Sequence, residues 1–294
     1  FDLRLRDGNN EKHELMTQMG FNGAEIGAEG PFSKKSKSSY VINYRYSTLS
    51  IFKKLGLNVG TGNAVPEYQD VNFKMSFPLK NNNSKVTLFG LGGLSKADIL
   101  GNDVDTTQTD FYGRIDQNQY ATYKTGIIGS SYERNLGEKT FMKLTLGASA
   151  SDQKFTSDSI AIFNPEKPAI KDQTANFNNQ KYSAVLNINH KFNPKNTLNA
   201  GTNTDLMKFD FLNETISKGI TKQFVNQKGE AYLTQAYAQL KHRFNNKFSL
   251  NVGAHTQHFS YTNDFVVEPR AGIKFAFNGR SSINVGYGIH HQMQ

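Results

Sequence analysis

The residues whose types and spacing could do chemistry come first. His255 and His258 stand three apart in "HTQH", and His290, His291 and Met293 form a soft-ligand cluster. On a strand, residues that are adjacent or three apart point to opposite faces. Neither group can therefore converge on one metal without a bulge. Asp103, Asp105 and Asp110 in "GNDVDTTQTD" offer hard oxygen ligands and are candidates for a loop calcium site, although EF-hand spacing and its glycine are absent. There is no GxSxG, and "YKTGIIGSS" lacks the glycine spacing of a P-loop. Carboxylates are plentiful but stand in polar stretches where solvation accounts for them. No catalytic residue, cofactor or resident metal is expected.

The chain has 294 residues, no cysteine and a formal net charge of +9. Disulfide and thiolate chemistry are excluded within these residues. A basic balance can serve nucleic acid or an anionic surface, but the charges are spread rather than clustered, so no nucleic-acid partner is expected. Mean hydropathy is negative, and no run approaches the roughly 18 apolar residues of a membrane helix. The opening "FDLRLRDGNN" shows no basic-then-apolar leader, so no signal peptide is expected within it. Low hydropathy is compatible with a membrane β-barrel, which shows only every second residue to lipid.

Alternation is the dominant pattern. Phe248, Leu250, Val252 and Ala254 oppose Ser249, Asn251, Gly253 and His255; Ile273 and Phe275 oppose Arg270 and Lys274; Ile283 and Val285 oppose Ser282 and Asn284. Tyr40, Ile42 and Tyr44 oppose Asn43 and Arg45, and Leu144 and Leu146 oppose Lys143. Each segment is a strand with one apolar and one polar face. Segments 85–94 and 119–134 give no clean facing, and "STLSIFKKLG" reads as a short helical turn.

Short turns near 31–39, 80–84, 136–139, 193–196, 245–247 and 278–280 alternate with long polar loops. The loops are placed at roughly 50–68, 95–118, 156–179, 210–230 and 262–267. The phrase "RFNNKFSLNVGAH" and its echoes "AFNGRSSINVGYG" and "KFNPKNTLNAGTN" are then one hairpin end repeated. Short and long connections in strict order are what an up-and-down meander gives when its two ends face different surroundings. The short turns are rich in Lys and the long loops in Asp, among them Asp98, Asp116, Asp158, Asp172 and Asp210. About thirteen strands result, many longer than the usual five or six residues and long enough to cross a membrane at a tilt.

The stretch "AEGPFSKKSKSSYVINYRYSTLSIFKKLG" resembles the early barrel of TonB-dependent outer-membrane receptors of the Bacteroidetes type. "FDLRLRDGNN" looks like the first barrel strand leaving the plug, and "VPEYQDVNFKMSFPL" with "KVTLFGLGG" fits the next hairpin. The resemblance covers about residues 1–95 most specifically, then rests on strand pattern. It implies a plug inside a barrel of about 22 strands, and import driven by TonB pulling on the plug. No plug or TonB-box segment lies within these residues, nor does the small carboxypeptidase-regulatory-like domain often found before the plug. "DSI" and "DTT" resemble the Asp-Ser/Thr-apolar sequon of Bacteroidetes O-glycosylation, which makes Ser159 a modification candidate.

The expected fold is therefore all-β: residues 1–294 as one partial transmembrane antiparallel up-and-down barrel, about thirteen of about 22 strands. The expected role is TonB-energised import of an unidentified ligand in the outer membrane. A structural subunit of a larger outer-membrane machine and a passive porin are the alternatives. Lumen-facing candidates for ligand contact are Asn43, Arg45, Lys143, Asn251, Arg270, Lys274 and Asn284. Expected partners are outer-membrane lipid, the TonB system through a plug, and a surface lipoprotein or other outer-membrane subunits.

Overall fold

A computed structural model describes residues 5–20, 23–33, 35, 37–47, 49, 66–79, 83–101, 114–161, 168–277 and 281–291. Among the described residues, thirteen strands form one antiparallel sheet in which every spatial neighbour is the neighbour in sequence. They are β1 (Glu14–Gly20), β2 (Gly23–Ser33), β3 (Ser38–Tyr46), β4 (Glu67–Pro78), β5 (Ser84–Ile99), β6 (Gln117–Leu136) and β7 (Thr140–Ser159). β8 (Ile170–Asn193), β9 (Asn196–Ser217), β10 (Ile220–Arg243), β11 (Phe248–Phe259), β12 (Asp264–Ala276) and β13 (Ser282–Gly288) follow. This is the meander that the alternating connections predict.

The register ties the faces together, because directly paired residues share a face. One face runs Tyr44–Val71, Val71–Gly92, Leu88–Ser130, Leu146–Ala184, Ala184–Thr204, Ala238–Ala254 and Ile273–Val285. It holds most of the exposed large apolar residues, such as Ile128 at 61%, Leu146 at 50% and Val285 at 57%. Conversely, the buried apolar side chains among the described residues are few: Pro31, Val41, Leu49, Ala175 and Ala231. A water-soluble domain of this length would do the reverse, burying its Leu, Ile and Phe in a core. The sheet is one layer whose apolar surface looks outward, and this outer face is the side suited to lipid.

Several expectations need correction. Leu5–Asp7 are not in a strand; among the described residues the first strand is β1, seven residues further on, and residues 1–4 of the expected strand lie outside them. The segment 210–230 is not a loop, because β9 and β10 pair through it and turn on Lys218 and Gly219 alone. Both turn residues have positive φ, 51° and 76°, the backbone of a two-residue hairpin turn whose twist matches its strands. Likewise β7 runs to Ser159 and β8 begins at Ile170, so most of 156–179 is strand. The fifth loop is shorter than 262–267, since β12 begins at Asp264.

The physical reason is a change of phase. In β9 the outer face carries Leu198, Ala200 and Leu206 and then Lys208 and Asp210, while the inner face changes from Asn199, Asn203 and Asp205 to Phe209 and Phe211. The apolar stripe swaps sides midway, so a fixed alternation is lost although the strand continues. β8 and β10 each have 24 residues, about 80 Å of chain at the usual rise per residue, far beyond what a membrane crossing needs. Asp210, expected in a loop, stands on the outer face of this extension and pairs with Lys228 at 3.2 Å.

The segments 85–94 and 119–134 lie in β5 and β6, where both faces are apolar: Leu88 and Ile128 on the outer face, Phe89, Leu91 and Ile127 on the inner. That is why alternation could not assign them. The predicted turn of helix in "STLSIFKKLG" lies outside the described residues apart from Ser47 and Leu49, as does most of the loop expected at 50–68.

Candidate functional site

Register places all seven lumen candidates on the inner face, which is polar along most of β3, β7 and β11–β13. Asn43 pairs with Asn72 and Arg45 with Asp70; Lys143 lies between Glu133 and Asn187; Asn251 faces Lys241 and Gly272; Arg270 faces Gly253, and Lys274 faces Asn284. They do not converge on one point. Asn43 and Arg45 are on β3, Lys143 is on β7, and the other four are neighbours on β11–β13.

Three of the charged candidates are held within the wall. Arg45 bonds Asp70 at 2.7 Å, Lys143 bonds Glu133 at 2.8 Å, and Arg270 bonds Glu268 at 2.6 Å. Lys274 has no ion-pair partner among the described residues. Glu268 is 2% exposed and is the centre of a cluster that sequence reasoning missed. His255 Nδ1 stands 2.9 Å away, and the His291 backbone N–H donates to it at 2.6 Å. His255 and His258 fall on opposite faces, as their spacing requires: His255 opposes Glu268 and His258 opposes Phe265. Among the described residues no group of three or more His, Cys, Asp or Glu is arranged to hold a metal.

The second missed feature is the segment before β1. Leu5–Asn9 lies across β2–β5 near their tight-turn ends. Arg6 donates both guanidinium nitrogens to Glu29 at 2.6 Å, and the Asn9 N–H donates to the same carboxylate at 2.8 Å. Asp7 accepts from Ser76 at 2.7 Å and meets Lys74 at 2.8 Å and Lys85 at 2.9 Å. Lys74 also donates to the Leu5 carbonyl at 2.8 Å. Burial pushes the Asp7 carboxyl up, but the hydrogen bonds from Lys74, Lys85 and Ser76 outweigh it and hold the group well below the usual carboxylate range. Gly8 fits only because it lacks a side chain: a Cβ there would stand 2.0 Å from the Tyr40 carbonyl oxygen. Because Lys74 and Ser76 are inner-face residues, the chain approaches β1 from inside the wall.

The third is in the strand extensions. On the inner face, Phe177 pairs with Gln153 and Phe211, Phe209 with Asn179 and Gly229, and Phe211 with Gln227. Phe177 and Phe211 meet edge-on at 5.6 Å, Phe209 and Phe211 lie 5.4 Å apart, and Tyr261 stands 6.1 Å from Phe209. A signal was present in "MKFDFLN", whose alternation survives with the faces exchanged.

Asp103, Asp105 and Asp110 lie outside the described residues, as do Met293 and the "DTT" sequon. Ser159 is the last residue of β7, exposed, with its hydroxyl donating to Asp172 at 2.8 Å.

No protein-family model and no curated protein sequence matches the chain. Solved structures do. The siderophore receptor PirA from Acinetobacter baumannii matches 93% of this chain over 41% of its own, with 14% identity and a TM-score of 0.55. FpvAI, in its complex with pyocin S2, matches 96% of this chain over 43% of its own, with 10% identity and a TM-score of 0.70. The copper transporter OprC matches 97% over 46%, with 10% identity and a TM-score of 0.64. The chain has the fold of TonB-dependent outer-membrane receptor barrels, and it spans less than half the length of these three structures.

Proposed function

We propose that residues 1–294 form part of the barrel wall of a TonB-dependent outer-membrane import receptor. The observation that carries this reading is the clasp of Arg6 and Asp7 on the inner face. It leads the chain before β1 into the lumen, where a plug would sit, while the outer face presents exposed apolar residues to lipid. A wide wall with a polar inner face needs a filling or it conducts water and ions, and a plug connected through residues 5–9 supplies that filling. Further strands would complete the wall, because β1 and β13 each pair on one side only among the described residues. The partners in this reading are lipid, TonB through the plug, and a surface lipoprotein or other outer-membrane subunit. The matched structures suggest the activity by their own names, a siderophore receptor and a copper transporter.

The test uses the full-length protein in planar bilayers with the periplasmic domain of TonB. An importer should be closed to ions and should bind that domain. Steady open conductance would identify a porin, and a closed barrel that never binds TonB would identify a structural subunit.

A further inference from the structure

The strands exchange the polarity of their faces above the apolar belt. There the outer face carries ion pairs, Lys208–Glu230 at 3.3 Å and Lys228–Asp210 at 3.2 Å, as a surface in water can. The inner face of β7–β10 at the same height carries no charged side chain between Lys181 or Asp205 below and Asp172 or Lys222 above. Three of the aromatic rings on it each have an amide directly opposite, Phe177 with Gln153, Phe209 with Asn179 and Phe211 with Gln227, while a fourth, Phe155, lies between Ala121 and Ala175. The three rings are half-buried.

Gly229 sets the attitude of one ring. A Cβ there would stand 2.9 Å from Phe209 Cζ and 3.4 Å from two further ring carbons, so the ring lies over the bare backbone of β10. A side chain at 229 would displace the ring.

We propose that this shelf binds an uncharged oligosaccharide. This rests on the receptor reading above and adds the ligand class. A sugar ring has a flat face of C–H groups that packs on an aromatic ring by dispersion, and hydroxyls on its rim that both donate and accept. Amide side chains also do both, so a Gln or Asn beside each of these three rings matches that rim. A polyanionic ferric chelate or an acidic peptide would find no cation among the rings, Lys181 and Lys222 standing only at the two ends of the shelf, to offset its desolvation.

The experiment is calorimetric titration of the full-length receptor in detergent. The probes are maltohexaose, laminarihexaose, xylohexaose and mannohexaose, with a ferric tris-catecholate as the charged comparison. At least one neutral probe should bind, and the catecholate should not displace it. Phe209→Ala and Phe177→Ala should each weaken binding about tenfold, while Phe209→Trp should keep it. Gly229→Val should weaken it too, in a receptor that still shows native heat-modifiable mobility. Lys208→Ala, on the outer face at the same height, should change nothing. The proposal is overturned if no neutral probe binds, if the catecholate alone binds, or if Phe209→Ala and Phe177→Ala leave affinity intact. Binding in detergent needs no energised transport, so a receptor that binds sugar but not TonB would refute the import reading and leave this one standing.

Discussion

The Asp7 carboxylate meets the Lys74 ammonium at 2.8 Å on the inner face of the sheet. It thereby fastens the stretch before β1 to β4, and Lys85 extends the same contact to β5. A carboxyl whose folded pKa is depressed adds stability above the ordinary carboxylate range and loses it as pH falls through the folded value. The clasp should therefore hold from neutral pH down to about 4, the ordinary value for Asp, and loosen only below it. A spin label at Glu11 in the full-length protein should stay immobilised over that range. Asp7→Asn should mobilise it at neutral pH, and so should Gly8→Ala, through its collision with Tyr40. Mobilisation of the unsubstituted clasp between pH 7 and 5 would count against this assignment.

Leu146 and Thr145 are adjacent on β7 but belong to opposite faces, Leu146 opposing Ser130 and Ala184, Thr145 opposing Ser131 and Val185. Leu146 is 50% exposed in the middle of the apolar belt. An Arg on the lipid side near mid-membrane costs about 2–4 kcal/mol, and one on the lumen side costs little. Leu146→Arg should lower the yield of assembled, heat-modifiable receptor, and Thr145→Arg should not. Equal yields would falsify this facing.

The β9–β10 turn at Lys218 and the β10–β11 turn at Asn246 lie at opposite ends of β10. If, as proposed, the clasp marks the plug end of the wall, the Asn246 end should face the periplasm and the Lys218 end should face outward. These residues hold no native cysteine to confuse labelling. A cysteine replacing Lys218 should react with an impermeant maleimide in intact cells, and one replacing Asn246 only after the outer membrane is opened. The reverse result would turn the topology over.

β1 and β13 each leave one edge of backbone groups without a strand partner among the described residues. In hydrocarbon each such group costs several kcal/mol, and in water such edges pair with other chains. Residues 1–294 expressed alone and refolded into detergent should therefore give aggregates or higher oligomers. A monomeric, protease-resistant, heat-modifiable species would show that the sheet closes on itself.

The sequence alone determined the meander and most of its facing. Side chains alternate along every strand, so Leu250 and Val252 had to part from Asn251, and short turns had to join antiparallel neighbours. The same rule kept His255 and His258 from sharing a ligand. Reading failed where alternation alone could not report the environment. In β5 and β6 both faces are apolar, and in β8–β10 the apolar stripe changes sides, so Phe211 read as a loop residue although it is paired in a ladder. Only the tertiary structure decided those strand lengths, because membrane and water impose opposite polarities on the outer face at different heights. It also decided the partners of Asp7 and Glu268. An ion pair between residues 67 or 78 positions apart depends on which strands lie side by side and at what register, and no local spacing encodes that.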